Sequence, residues 1–225
     1  MKLLCIDTST RVLSLAVSDN DRVLRSSHVS LEGFLSSSII PSIQKILKSA
    51  RIKLEALDGF AVGLGPGSFT SLRVGLATIK GLSFATGKPV VGIPSLDILA
   101  MSVLGDQQIC TIMDARRNMV YACLYQKKGT TLKRKSPYLL TPLNDLLKFL
   151  KTTENITFIG DAASLFKAHI NHPKKNFIFA DSNIHYPQAK FLAPLVLKRF
   201  KEKKFDEVEK IVPLYLYRQD CQVQK

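Results

Sequence analysis

Lys2-Leu-Leu-Cys-Ile-Asp-Thr-Ser-Thr-Arg-Val-Leu-Ser-Leu-Ala-Val17 is the stretch whose reading decides the fold. An apolar run ends in a carboxylate at Asp7, a polar turn covers Thr8-Ser9-Thr10, and apolar residues alternate from Val12 to Val17, which reads as strand, turn, strand. Asp19-Asn20-Asp21 makes a second turn, and Arg22 to Val29 a third strand of an antiparallel meander. Between Phe34 and Ala50, Leu35, Ile39, Ile40, Ile43, Ile46 and Leu47 share one stripe, with serines, Gln44 and lysines opposite, which predicts an amphipathic helix. Asp58 to Gly63 reads as a buried strand, Gly65-Pro-Gly-Ser68 as a tight loop, and Thr70 to Thr86 as a second helix.

The same grammar returns in the second half. Gln107 to Asp114 is an apolar strand ending in Asp, Ala115-Arg-Arg-Asn118 a turn, Met119 to Tyr125 a strand, and Thr131 to Leu140 another. A helix from Pro142 to about Lys151, a strand from Asn155 to Gly160 and a helix from Ala162 to about Ile170 follow. An offset of 107 residues places Asp7 on Asp114, Cys5 on Ile112, Val12 on Met119 and Ala16 on Cys123. The expected fold class is therefore α/β, with two lobes made from a duplicated βββαβα unit. That is the plan of the actin, Hsp70 and sugar-kinase fold. The expected division is an N-terminal lobe over 1–104, rejoined by 211–225, and a C-terminal basic lobe over 105–210, which includes a last helix from Pro187 to about Lys203.

Composition narrows the function classes. The 225 residues are 46% hydrophobic and 22% charged, which excludes a largely disordered chain. No window approaches the roughly 18 uninterrupted apolar residues of a membrane span, and Asp7 interrupts a signal-type apolar region, so the expectation is a cytoplasmic protein without membrane association. Cys5, Cys110, Cys123 and Cys221 lack metal or redox spacing and read as ordinary thiols. The net charge of +14 is unevenly spread along the chain: residues 1–100 carry 11 Lys and Arg against 7 acidic residues, residues 101–225 carry 21 against 11. An excess of this kind suits an anionic partner or a solvated lysine surface.

The segment Gly63-Leu-Gly-Pro-Gly-Ser-Phe-Thr-Ser-Leu-Arg-Val-Gly75 carries a specific likeness. With Ile6-Asp-Thr-Ser9, Ile40-Pro41, Gly92 to Leu96, Asp114-Ala-Arg-Arg117, Val120-Tyr121, Gly160-Asp161, Tyr186-Pro187 and Tyr215-Leu-Tyr-Arg218, the sequence resembles the TsaB (YeaZ) family over nearly its whole length. Ser71 stands where that family usually has glycine, and Leu35-Ser-Ser37 where it usually has His-Ser-Glu. The resemblance implies a non-catalytic subunit, without a cofactor, of the assembly that forms N6-threonylcarbamoyladenosine beside the tRNA anticodon. It implies pairing with a TsaD-type transferase, joined by a TsaE-type ATPase, and contact with tRNA through that complex.

Gly65-Pro-Gly-Ser68-Phe-Thr70 has neither the flanks of a nucleophile elbow nor the Gly-Lys-Ser/Thr of a phosphate loop. His169 and His172 are three apart with no third ligand near in sequence, and no metal site is expected. The alternative enzyme readings are an ATP-binding or ATPase protein of the actin-like fold and a glycoprotease-like hydrolase. Asp7, Ser9 and Asp114 are then degenerate phosphate-site candidates: nucleotide sites of such folds follow a strand-end Asp with glycine, whereas Ser9 and Arg116-Arg117 fill the turns here.

Function is therefore expected on a surface. The helix from Thr70 to Thr86 is apolar nearly all round, with Gly75, Ala77, Gly81 and Ala85 admitting close backbone approach. With the serine-rich helix before it, it forms the expected TsaD-binding face, comprising Leu35, Ser38, Ile39, Ser42, Leu72, Arg73, Leu76, Ile79, Lys80, Gly81 and Phe84. Without a partner this patch should form a homodimer. Lys127-Lys128 with Lys133-Arg-Lys135, and Lys198 to Lys204, are the basic clusters that could touch tRNA.

Overall fold

The computed structural model describes residues 1–30, 33–151, 155–170 and 176–217. In the first unit, β1 (Lys2–Asp7), β2 (Val12–Asp19) and β3 (Arg22–Ser30) form the meander, then α1 (Leu35–Ala50) leads to β4 (Gly59–Gly63). α2 (Phe69–Thr86) leads to β5 (Val90–Ile93) and α3 (Ser95–Met101), and the sheet order is β3-β2-β1-β4-β5. β1, β4 and β5 run parallel and are buried on both faces, so they read as continuous apolar runs.

The second unit repeats this order. β6 (Gln107–Asp114), β7 (Met119–Lys128), β8 (Thr131–Arg134) and β9 (Leu139–Pro142) are followed by α4 (Leu143–Phe149), β10 (Asn155–Ile159), α5 (Asp161–Leu165), α6 (Lys167–Ile170) and β11 (Asn176–Phe179). The sheet runs β11-β10-β6-β7-β8, with β9 pairing β7 farther along. The single expected strand over 131–140 is thus two, and the expected helix over 162–170 is two short ones.

Each sheet packs its helices through an apolar face of period two. In the first unit Leu4 and Ile6 of β1, Leu13, Leu15 and Val17 of β2 and Phe60 of β4 meet Leu35, Ile39, Ile43 and Leu47 of α1 and Leu76 and Ile79 of α2. In the second, Cys110 and Ile112, Val120 and Ala122, and Phe158 meet Leu143 and Leu146 of α4 and Ala162 and Ala163 of α5. These faces correct the uniform offset. β2 maps onto β7 by 107 residues, but β1 maps onto β6 by 106, because Asp7 pairs with Ser14 whereas Asp114 pairs with Val120, one residue sooner. A slip of one residue turns every side chain to the other face. Asp7 shares the face of Leu3 and Cys5, away from α1 and α2; Asp114 shares the face of Cys110 and Ile112, toward α4 and α5.

α7 (Leu192–Lys201) was expected to close the second lobe, yet it packs on the first unit. Leu192, Ala193, Val196 and Phe200 cover Leu3, Cys5, Ala16, Ala61 and Val91, where small residues let a helix lie close; a Cβ at Gly59 would strike the Phe200 ring. The contact units are 1–98 with 187–214, and 99–186 with 215–225. Ile211 joins the first core and Leu214 N donates to Leu64 O, whereas Tyr217 sits edge-on to Tyr121 and donates its hydroxyl to Ala115 O in the second unit, so the tail expected to rejoin the first lobe over 211–225 divides at 214. Segment 187–214 carries seven Lys and Arg against four acidic residues, so the first unit holds 18 against 11, or +7, half of the chain's +14. The expected basic second lobe is a feature of sequence position and not of packing.

Candidate functional site

Asp7 is buried, and both of its oxygens are spent inside the first unit. Oδ1 accepts Ser9 N at 2.9 Å and Ser9 Oγ at 2.7 Å; Oδ2 accepts Ser95 Oγ at 2.6 Å, which itself accepts Gly65 N at 2.9 Å. The carboxylate lies where a Cβ of residue 63 would be, which requires Gly63. Ser68 N donates to Ser9 O at 2.7 Å, and a Cβ at Gly67 would meet that same carbonyl. Burial without a cation pushes the Asp7 carboxyl above its ordinary range, against the pull of these hydrogen bonds. The strand end is thus a knot joining the turn after β1, the loop before α2 and the start of α3.

Asp114 has a different setting. It is partly exposed, accepts Arg116 N at 2.8 Å and lies 3.7 Å from Arg116 Nη1. Asp161, at the start of α5, accepts Asp114 N and Ala162 N, both at 2.9 Å, and burial raises its pKa. Arg116, Arg117 and Asn118 all have left-handed φ, at 66°, 51° and 56°, and are exposed. Asp7 with Ser9 and Asp114 therefore form two unlike local structures, on opposite sheet faces.

Exposure divides the residues of the expected partner face into two classes. Leu35, Ile39, Leu72, Leu76 and Ile79 are core residues, none more than 7% exposed, and cannot meet a partner. Their heptad-like spacing marks the side of α1 and α2 that turns inward. Ser38, Ser42 and Lys80 are half-buried, with Lys80 Nζ donating to Glu209 O at 3.0 Å, while Arg73, Gly81 and Phe84 are exposed. On α2 the outward residues are Phe69, Thr70, Arg73, Ala77, Gly81, Phe84 and Ala85; Phe69 is 40% and Phe84 61% exposed, and the Arg73 guanidinium lies 3.6 Å over the Phe69 ring. A Cβ at Gly81 would meet nothing within 4 Å, whereas one at Gly75 would strike Thr8. Beside this stripe Ile40, Ile43, Leu47, Ile52, Leu54 and Leu82 line an apolar cavity of about 430 Å³. The expected face left out Phe69 and Ile40, which the structure exposes; Phe69 precedes the expected start of the helix, and Ile40 was placed on the inward stripe of α1.

Ser71, in place of glycine, takes part in the α2 cap: Ser68 Oγ accepts Ser71 N at 3.4 Å and donates to Ser71 Oγ at 2.9 Å. Ser37 Oγ and Ser38 Oγ donate to Phe34 O at the start of α1. His185 is buried with both ring nitrogens engaged, Nδ1 2.9 Å from Ser164 Oγ and Nε2 2.9 Å from Ala180 O, which ties β11 and the following turn to α5. His172 and Cys221 lie outside the described residues. Among the described residues no three His, Cys, Asp or Glu side chains cluster as a metal would require, and no helix is long and apolar enough to cross a membrane.

Residues 34–225 match the family model described as TsaD, tRNA N6-adenosine threonylcarbamoyltransferase. The chain is 33% identical over 220 residues to the tRNA threonylcarbamoyladenosine biosynthesis protein TsaB of Bacillus subtilis, covering 96% of this chain and 94% of that protein. The solved structure of YeaZ from Pseudomonas aeruginosa superposes with a TM-score of 0.82 at 25% identity, over 96% of this chain and 99% of that one. An activator of 2-hydroxyisocaproyl-CoA dehydratase from Clostridium difficile shares the fold alone, with a TM-score of 0.51 at 12% identity, over 96% of this chain and all of that one. The mixed α/β fold of the YeaZ structure, with one sheet in each unit, is thereby shown for this chain.

Proposed function

We propose that this chain, which belongs to the TsaB proteins of the TsaD family, is a non-catalytic subunit that binds a TsaD-type transferase in forming N6-threonylcarbamoyladenosine in tRNA. The exposed stripe of α2 carries the reading. Phe69, Ala77, Gly81, Phe84 and Ala85 present apolar and small groups to solvent beside an apolar cavity, an arrangement that favours burial against another protein. The partner face is this stripe with the outer side of α1, and a TsaE-type ATPase joins the pair. Alone, the same stripe supports a homodimer.

Absence of catalysis is supported by the Asp7 knot. A buried carboxylate that accepts three hydrogen bonds from its own unit, with Ser9 where a phosphate-binding turn would have glycine, is engaged in holding the fold and not in presenting a charge to a phosphate. Depleting the chain should lower threonylcarbamoyladenosine in total tRNA, and a tagged chain should retain a TsaD-type protein. Unchanged tRNA modification in depleted cells would overturn the proposal.

A further inference from the structure

The two basic clusters of the sequence have different electrostatic fates. At the end of α7, Lys198 and Lys204 both face Glu202, at 3.8 and 2.9 Å; Arg199 meets Asp206 at 2.7 Å and Lys210 meets Glu207 at 2.6 Å. Those four cations have acidic partners close by in the same segment, while Lys201 and Lys203 beside them are exposed outside these pairs. Lys127 also leaves the candidate set: it is 5% exposed, and its ammonium donates to Met101 O at 2.9 Å and to Val103 O.

The other cluster gathers its charges on one face of the β7–β8 hairpin. Gln126 opposes Lys133, Lys128 opposes Thr131, and Lys135 N donates to Leu124 O at 2.7 Å, which continues the same register. Directly opposed residues share a face. Lys128, Lys133 and Lys135 therefore stand on one side, while Lys127, Leu132 and Arg134 stand on the other. All three lysines are exposed, and none takes part in an ion pair recorded among the described residues. The carboxylate recorded at the hairpin, Asp106, accepts Gly129 N at 2.7 Å. β8 ends its sheet, so this lysine face lies along an open edge.

We infer that the Lys128, Lys133 and Lys135 face binds the phosphate backbone of RNA. The inference rests on the proposed place of the chain in a tRNA-modifying assembly. Like charges held on one strand face repel one another; phosphate charge offsets that repulsion, and the counterions the phosphates release on contact favour binding. Lysine supplies point charges and not a planar fork, and no aromatic side chain stands among the three, so the contact neutralises phosphate without reading bases.

The test uses the full chain assembled with a TsaD-type subunit and an in vitro transcribed tRNA, with affinity measured from 50 to 200 mM KCl. Lys128→Glu/Lys133→Glu/Lys135→Glu should weaken binding on the order of tenfold or more and flatten the log–log salt slope by about 2–3, at about 0.7–0.9 per phosphate contact. Lys198→Gln/Lys204→Gln, which removes charges already paired, should leave the slope nearly unchanged. The milder Lys128→Gln/Lys133→Gln/Lys135→Gln must show the same loss of slope at an unchanged melting temperature, which separates a lost contact from a damaged fold. Unchanged affinity and slope in the triple variants would overturn the inference, as would loss of the protein partner with tRNA binding intact. Failure of the functional reading shows separately, as normal tRNA modification in cells that lack the chain.

Discussion

Ser95 Oγ donates a 2.6 Å hydrogen bond to Asp7 Oδ2 across 88 residues of sequence, and through it the first residue of α3 is fastened to the last residue of β1. The same hydroxyl accepts Gly65 N, so one serine joins three segments. This bond explains why a carboxylate survives in the interior without a cation: hydrogen bonds from Ser9 and Ser95 offset part of its desolvation.

The Asp7 pKa is raised in the folded state, so between the ordinary value and the raised one the folded chain holds more protons than the unfolded chain. Stability from this group therefore increases as pH falls through that window and decreases as pH rises through it. Asp7→Asn removes the titration. The melting temperature of the native chain minus that of the variant should rise as pH is lowered from 7 to 4. A difference that stays flat, or falls, would show that Asp7 does not titrate abnormally.

Lys127 is a structural cation in a lysine-rich segment. Lys127→Met leaves the carbonyls of Met101 and Val103 without their donor, at a cost of about 1–3 kcal/mol, or several degrees of melting temperature for a chain of this size. Lys128→Met, one residue on and exposed, should stay within about 0.5 kcal/mol. Calorimetry of the two variants distinguishes them, and equal melting temperatures would refute the assignment.

Much of this was readable from residue pattern. Continuous apolar runs located β1 and β6, which are buried on both faces, alternation located β2, and period-3.6 spacing located α1, which buries one face against the sheet. Three things were not readable. The duplicated strand ends share an Ile-x-Asp or Ile-Asp flavour, but the turn length decides which face each Asp takes, and Asp7 and Asp114 differ by that one residue. The ownership of α7 depends on Gly59, Ala16 and Ala61 leaving space for it, a long-range fit with no local signal. On a helix apolar all round, periodicity alone does not separate the inner stripe from the outer one, so Ile79 and Leu76 stood beside Gly81 and Phe84 in the expected face.

That separation gives a prediction with opposite signs on the two sides of α2. Gly81→Arg meets open space, so the free chain should keep its melting temperature within about 0.5 kcal/mol. In an apolar protein contact the unpartnered guanidinium would cost a few kcal/mol, enough to lower affinity for a TsaD-type subunit by about a hundredfold or more. The homodimer proposed for the isolated chain should dissociate with the same substitution. Ile79→Ala, by contrast, empties a fully buried position and should cost about 2–5 kcal/mol of stability. It should leave partner affinity nearly unchanged at temperatures where the variant is folded. Gly75→Ala should resemble Ile79→Ala, since its methyl group meets Thr8 and not the partner. Co-purification and analytical ultracentrifugation read one property and thermal melting the other. If Gly81→Arg retains both the partner and the homodimer, the outward stripe of α2 is not the interface, and the partner must be sought on another face of the first unit.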